Sequence, residues 1–326
     1  MTQASAIEVL LPIWQRVLQR SSVELNDNFF DLGGTPLSAS KLFDEIARIF
    51  ARDLPPVLIY AAPTIETLGA LIGDPATPRV PPILPMKSGA ESPPIFVAHG
   101  LGNTLLELSG LAEKIASRHP IYGMQARGID GVDEPLATIE EMAEFHLEAI
   151  RRVQAHGPYF LIGYSLGGLV TLEIAQRLCA GGEKIGLLAL VDSYPDKSKI
   201  STTQRALLSF RLAKLHASSL IRSTPGSIPL QNAGDIRVAT QRVTQQMRDS
   251  ADLALRRYRP RFYPGRIKFV KAEISTYFPD DPAAVWAHLA EQFDVETVPG
   301  DHVGMLTTEC ETLASVLSRF LNEAGG

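Results

Sequence analysis

Tyr159-Phe160-Leu161-Ile162-Gly163-Tyr164-Ser165-Leu166-Gly167-Gly168 places one serine in a G-x-S-x-G turn, between an apolar run of strand type and a helical pattern. At average glycine and serine frequencies of about 7% each, the bare motif arises by chance in roughly one chain in ten of this length. The flanks therefore carry the argument. Small residues on both sides let a strand turn sharply into a helix, which leaves the Ser165 hydroxyl exposed and the backbone N–H of Leu166 facing a developing oxyanion. The chemistry this predicts is attack of a hydroxyl on an acyl carbon; the bland alternative is a structural turn.

A hydroxyl attacks poorly until a base takes its proton and a third group orients that base. Of the seven histidines, His302 is the candidate base, because it follows Pro299-Gly300-Asp301 on a loop at the end of a strand-like run, Val295 to Val298. His119 precedes a proline, His146, His216 and His288 lie in helical patterns, and His156 lies in a loop before the nucleophile strand. The candidate acid is Asp192, which ends the apolar run Leu187 to Val191 and emerges at the sheet edge that carries Ser165. Asp301 is its rival, but a side chain adjacent to His302 on an extended loop points away from it. The chain order Ser165, Asp192, His302 is the one expected on a parallel sheet of this kind.

A second oxyanion donor is expected upstream. Ile95-Phe96-Val97-Ala98 leads into His99-Gly100-Leu101-Gly102-Asn103, a turn of small residues that brings the Leu101 N–H toward a substrate oxygen. No HExxH pair and no GxxxxGK[ST] loop competes, so neither a metal nor a bound nucleotide is called for.

These groups need a frame to hold them. From Ile95 onward, short apolar runs alternate with longer amphipathic ones: Ile95–Ala98, Leu105–Arg118, Ile121–Met124, Ile139–Gln154, Tyr159–Ile162, Gly168–Leu178 and Ile185–Val191. That rhythm predicts a parallel sheet covered by helices on both faces. It stops between about 196 and 258, where helix-like stretches near Gln204–Ile221 and Asp235–Tyr258 predict a helical lid, before a strand resumes at Arg266–Lys271. The lid segment holds eleven Lys and Arg against four Asp, and residues 1–75 hold nine acids against five bases, so the two can attract each other. The plainer account is that both carry solvated charged faces.

Ahead of the sheet, residues 76–94 are proline-rich, and repeated prolines stop a helix or a central strand from continuing. They divide the chain into residues 1–75, a linker at 76–94, and residues 95–326. Helical spacing at Ile7–Leu18, Leu37–Phe50 and Thr64–Ile72, the last with Pro63 at its start, makes the front unit a small helical bundle. With 326 residues, 45% of them apolar, the chain can bury a large core. A net charge of −5 gives no attraction to nucleic acid or anionic lipid, and no apolar run approaches membrane-spanning length. Two cysteines without metal-ligand spacing, and an N-terminus with no basic n-region before an apolar core, point to a reducing, cytoplasmic setting.

The motifs together resemble the thioesterase domains that end nonribosomal peptide and polyketide assembly lines. The resemblance covers Val80 to the C-terminus through the Ile95–Asn103 block, Gly163–Gly168, Val191-Asp192-Ser193-Tyr194 and Pro299–His302. It implies an α/β-hydrolase with a helical lid, in which Ser165 accepts an acyl group from a pantetheine thioester and passes it to water or an internal nucleophile. Asp192 and His302 complete the triad, and Leu101 and Leu166 form the oxyanion hole.

Residues 1–75 are similar to the carrier domains of the same assembly lines, through Asp27-Asn28-Phe29-Phe30-Asp31-Leu32-Gly33-Gly34 and the helix behind it. In that family the serine that bears phosphopantetheine comes two positions later; here the position is Pro36, which offers no attachment point. Ser38 lies two residues further, turned about 200° around the helix axis. The expectation is an unmodified carrier. Phosphopantetheine then enters only as the arm of a substrate brought on another protein, and catalysis itself needs no cofactor. Two other readings remain: an oxygen-ester hydrolase with the same triad, and a non-catalytic docking or scaffold protein. Against the second stands an apparently complete set of nucleophile, base, acid and donors.

Overall fold

The computed structural model describes residues 3–76, 78–101, 104–195, 231–275 and 279–325, with the backbone alone for 231–241. The expected helix at Gln204–Ile221 lies outside the described residues. The front unit has α1 (Gln3–Leu18), α2 (Pro36–Phe50) and α3 (Ile65–Gly73), with a 3-10 turn at Pro56–Tyr60. Both α2 and α3 begin with a capping box: Thr35 and Ser38 satisfy each other's backbone N–H at the first, Thr64 and Thr67 at the second. Pro63 therefore precedes the cap instead of starting the helix; its carbonyl accepts from the Phe29 N–H at 2.8 Å. Trp14 meets Phe29 edge-on, and Phe30 stacks on Tyr60 at 4.6 Å between ring centres.

The second unit is built on a seven-stranded sheet of order β1-β3-β2-β4-β5-β6-β7. Its strands are β1 (Ile83–Lys87), β2 (Ile95–Ala98), β3 (Ile121–Met124), β4 (Tyr159–Tyr164), β5 (Ile185–Val191), β6 (Tyr263–Ile274) and β7 (Ala290–Asp301). All neighbours are parallel except β1, which runs antiparallel to β3 at one edge. Period-two alternation fills both faces. Phe160, Ile162, Tyr164, Leu187 and Ala189 join the core on one side, with the C-terminal helix Cys310–Gly325. Tyr159, Leu161, Leu188 and Leu190 join the core on the other, with α5 (Ile139–Val153) and α6 (Leu166–Ala180).

Four elements differ from the sequence reading. Strand β1 lies inside the proline-rich segment, where an edge position tolerates Pro85 because no neighbour needs its missing N–H. The expected helix Leu105–Arg118 is a 3-10 turn at Leu105–Leu108 followed by a short helix, α4 (Ser109–Lys114). Lys87 Nζ donates to the carbonyls of Glu113 and Ile115 and closes it. Strands β6 and β7 are each 12 residues long and extend beyond the runs Arg266–Lys271 and Val295–Val298, since the outer β7 carries polar residues that hide its apolar pattern from the sequence.

One core runs through both units. Leu58 and Tyr60 of the front unit and Leu105, Leu106 and Leu108 of the second belong to the same apolar cluster. The Tyr60 hydroxyl is buried beside Ser109, and burial raises its pKa. The described part of the lid is one long helix, Gln231–Arg257. Its base is pinned by the buried Glu173 of α6, which accepts from Tyr258 Oη at 3.2 Å and Arg261 Nη2 at 3.2 Å.

Candidate active site

Parallel strands in register end together, and their C-terminal ends form one edge where loops can converge. Ala98 of β2 lies level with Gly163 of β4, and Gly163 with Leu190 of β5. Hence His99, Ser165, Asp192 and His302 all leave the sheet at the same edge.

Ser165 sits at the turn between β4 and α6 with φ +54° and ψ −120°, a conformation that costs an L residue energy and is kept only where its surroundings enforce it. Close packing of glycines does the enforcing. A Cβ at Gly167 would lie 2.5 Å from the Ala98 carbonyl oxygen, and one at Gly163 would lie 2.4 Å from that of Gly167. The Ser165 N–H donates to the Val191 carbonyl at 2.9 Å, tying the elbow to β5. Leu166 opens α6, so its N–H belongs to the positive end of a 15-residue helix.

Asp192 follows β5 with φ +44° and is 4% exposed. Its N–H donates to Val270 O at 2.8 Å and its Oδ1 accepts from Ala272 N at 3.3 Å. Its other oxygen, Oδ2, accepts from His302 Nδ1 at 2.7 Å. Asp301 does something else: its Oδ1 accepts from the Gly304 N–H at 2.8 Å and shapes the loop. The His302 ring stacks on Tyr164, 4.7 Å between centres and 18° between planes, and Tyr164 Oη donates to the His302 carbonyl at 2.7 Å.

On the β2 side, the Ala126 N–H donates to His99 Nε2 at 3.2 Å. A backbone N–H only donates, so Nε2 is the bare nitrogen and the proton sits on Nδ1. Nδ1 donates to the Gly100 carbonyl at 2.8 Å. Burial lowers the His99 pKa and keeps the ring neutral. Across a trans peptide C=O and N–H point in opposite directions, so this bond turns the Leu101 N–H away from His99. Gly100 itself packs on Tyr164 and Ser165; a Cβ there would be 3.1 Å from both.

Two hollows adjoin this edge. A small pocket of about 40 Å³ lies between Gly100, Leu166 and the lid helix, walled by Phe145, His146, Met247 and Ala251. A cleft of about 1240 Å³ opens between the two units, with Thr35 and Pro36 on one wall and Tyr164, Val303 and Leu306 on the other. Ser38 does not substitute for an attachment serine: its Oγ accepts from the Thr35 N–H at 2.7 Å within the cap. The residues at this terminus thus do not fit a covalently attached phosphopantetheine. Among the described residues, no group of three or more His, Cys, Asp or Glu is arranged to hold a metal. None of the described helices is long and apolar enough to cross a membrane.

Sequence reasoning named His302, Asp192, Ser165, Leu101 and Leu166, and the structure brings the His302 and Asp192 side chains together. It did not reach the parts of Tyr164 and His99. Position 164 is the variable x of the motif, and the His99 contact depends on how a turn folds back.

A doubly covered, mainly parallel sheet with a strand–serine–helix elbow defines an α/β-hydrolase. The chain belongs to the thioesterase domain family, whose model matches residues 93–321, and the model of the phosphopantetheine attachment site matches residues 8–72. It is 35% identical over 190 residues to a dimodular nonribosomal peptide synthase of Bacillus subtilis, covering 58% of this chain and 8% of that one. Against CymA of Salinispora arenicola, described as a probable non-canonical nonribosomal peptide synthetase, it is 32% identical over 228 residues, 69% of this chain and 3% of the relative. The chain thus spans a small part of the curated relatives it matches. Among solved structures, the NocB thioesterase domain in covalent complex with a fluorophosphonate nocardicin G analogue superposes with a TM-score of 0.54 at 25% identity, over 71% of this chain and 96% of that one. A four-domain nonribosomal peptide synthetase shares the fold over 98% of this chain and 26% of its own, with a TM-score of 0.60 at 21% identity.

Proposed function

We propose that this chain is a serine thioesterase that takes an acyl, peptidyl or polyketidyl group from a pantetheine thioester onto Ser165 and releases it by hydrolysis or cyclisation. His302 Nε2 takes the Ser165 proton as Oγ bonds to the carbonyl carbon, and Asp192 holds the imidazole and balances the imidazolium. The N–H groups of Leu101 and Leu166 receive the oxyanion, each worth about 3 to 4 kcal/mol in the transition state. His99 orients the first of them through Gly100. The C–S bond then breaks, and the sulfur leaves with the proton from Nε2. Water, or an amine or hydroxyl of the acyl chain, attacks the acyl-serine with His302 again as base, and Ser165 recovers its proton. None of these steps calls for a cofactor.

The observation that carries this reading is the 2.7 Å bond from His302 Nδ1 to Asp192 Oδ2, made at the sheet edge where the strained Ser165 elbow emerges. The small, largely apolar pocket beside Gly100 and Leu166 suits the first methylenes of an acyl group next to its carbonyl. We further propose the division into a carrier-like unit at 1–75, a connecting segment at 76–94 and a hydrolase unit at 95–326 with its lid at about 196–258. With proline at position 36, the thioester arrives in trans, on the arm of another carrier protein. The free cysteines Cys179 and Cys310 suit a reducing, cytoplasmic location.

The test is turnover of a panel of acyl-pantetheine thioesters, with mass spectrometry of products and of the Ser165 adduct. Ser165→Ala and His302→Ala should each abolish turnover while keeping the fold. Undiminished hydrolysis by the serine variant overturns the proposal.

A further inference from the structure

Tyr164 is the last residue of β4 and touches three parts of the site that come from distant stretches of chain. Its backbone leads directly into Ser165. Its ring packs on Gly100 of the oxyanion turn, where an added Cβ would lie 3.1 Å from two ring carbons. The same ring stacks on the His302 imidazole at 4.7 Å, and its hydroxyl donates to the His302 carbonyl at 2.7 Å, across 138 residues of sequence. The His302 loop is solvent-facing on its far side, where Val303 is 56% exposed, so it needs such a tie to keep its distance from the nucleophile.

We infer that Tyr164 is the positioning residue of the base: its hydroxyl fixes the His302 backbone to the nucleophile strand, and its ring stabilises the imidazolium formed when His302 takes the Ser165 proton. The inference rests on the serine-thioesterase reading above. Its physical content lies in the two ends of the side chain. The bond from Oη to the carbonyl is present in every protonation state and sets geometry alone, so its loss lowers rate without changing basicity. The ring presents its electron-rich face to the imidazole, which attracts the charged form more than the neutral one. Tyr164 thereby adds to Asp192 in favouring proton transfer, acting on the face of the imidazole while Asp192 bonds its edge at Nδ1. Other charged or titratable groups near the base are Asp301 and Glu309 on its own loop, with Tyr194, Asp280 and Asp281 lying behind Asp192.

Two variants separate the two roles. Tyr164→Phe keeps the ring and loses the hydroxyl; kcat for an acyl-pantetheine thioester should fall about fivefold, the worth of one neutral hydrogen bond, with KM unchanged. Tyr164→Leu loses both; kcat should fall at least about tenfold with KM unchanged, because the imidazolium formed in the transition state is no longer favoured. Tyr164→Met, which keeps bulk without an aromatic face, should match Tyr164→Leu and reads the role of the ring if the Leu variant folds poorly. A kcat in Tyr164→Leu and Tyr164→Met no lower than in Tyr164→Phe, or a loss carried by KM instead of kcat, removes the role of the ring. Wild-type kcat in Tyr164→Phe removes that of the hydroxyl. Ser165→Ala and His302→Ala run alongside: if both are inactive while the Tyr164 variants behave as wild type, only this inference falls, and if both are active, the parent reading falls with it.

Discussion

His302 and Asp192, 110 positions apart in the chain, are joined by a 2.7 Å hydrogen bond from Nδ1 to Oδ2, and the carboxylate's other oxygen is held by the Ala272 N–H. The carboxylate can only accept, so it fixes the tautomer that leaves Nε2 bare, as the proposed proton transfer from Ser165 requires. Asp192→Asn presents an N–H to the ring and favours the wrong tautomer. We expect kcat to fall by about three to four orders of magnitude with the circular-dichroism spectrum unchanged. A loss below about tenfold would mean that another group orients His302.

His99 acts one peptide away from the reacting atoms. Replacing it by Leu removes the donor to the Gly100 carbonyl and frees the Gly100–Leu101 peptide to rotate. The oxyanion would then lose part of one donor, so kcat should fall by about 10- to 100-fold with little change in KM, read with the same thioester substrate. His99→Asn keeps an N–H within a shorter reach and should recover part of the rate.

Pro36 occupies the first turn of α2 and is exposed at the wall of the inter-unit cleft. Proline suits a first helical position, so Pro36→Ser costs little stability while supplying a hydroxyl. Treated with a phosphopantetheinyl transferase and coenzyme A, the variant should gain the mass of the arm and the natural chain should not. Mass gain by the natural chain would show that another residue is modified.

His146 is buried in α5, and burial, reinforced by the nearby His99, pushes its pKa down to about 3. In the unfolded chain a histidine takes up its proton near 6.5, whereas the folded ring stays neutral down to about 3. Its contribution is therefore present in full above 6.5 and is lost as pH falls through that window, with a limiting slope of about 1.4 kcal/mol per pH unit. Urea unfolding between pH 7 and 5 should show stability falling with pH, and His146→Leu should flatten the fall.

Local patterns were sufficient for the elements whose signal is local. The buried strands β4 and β5 read as unbroken apolar runs, and the glycines around Ser165 marked the elbow because no larger residue fits against Ala98 and Gly168. The edge strands were harder. Pro85 in β1 and the acids of β7 obscure a period-two pattern wherever one side of the strand meets water.

From the sequence alone came the chemical types: a serine on a sharp turn, a histidine and an aspartate at strand ends, and a proline where a modified hydroxyl would stand. Only the tertiary structure decided which groups act on one another. The bond that Asp192, already preferred to Asp301 on the sequence, makes to His302 is formed there, the His99 proton lies on Nδ1, and Tyr164 touches both His302 and Gly100 while leading into Ser165. The reason is geometric. A motif records the spacing of residues along the backbone, whereas a hydrogen bond or a stacked ring depends on where strands in register deliver side chains from segments more than a hundred residues apart.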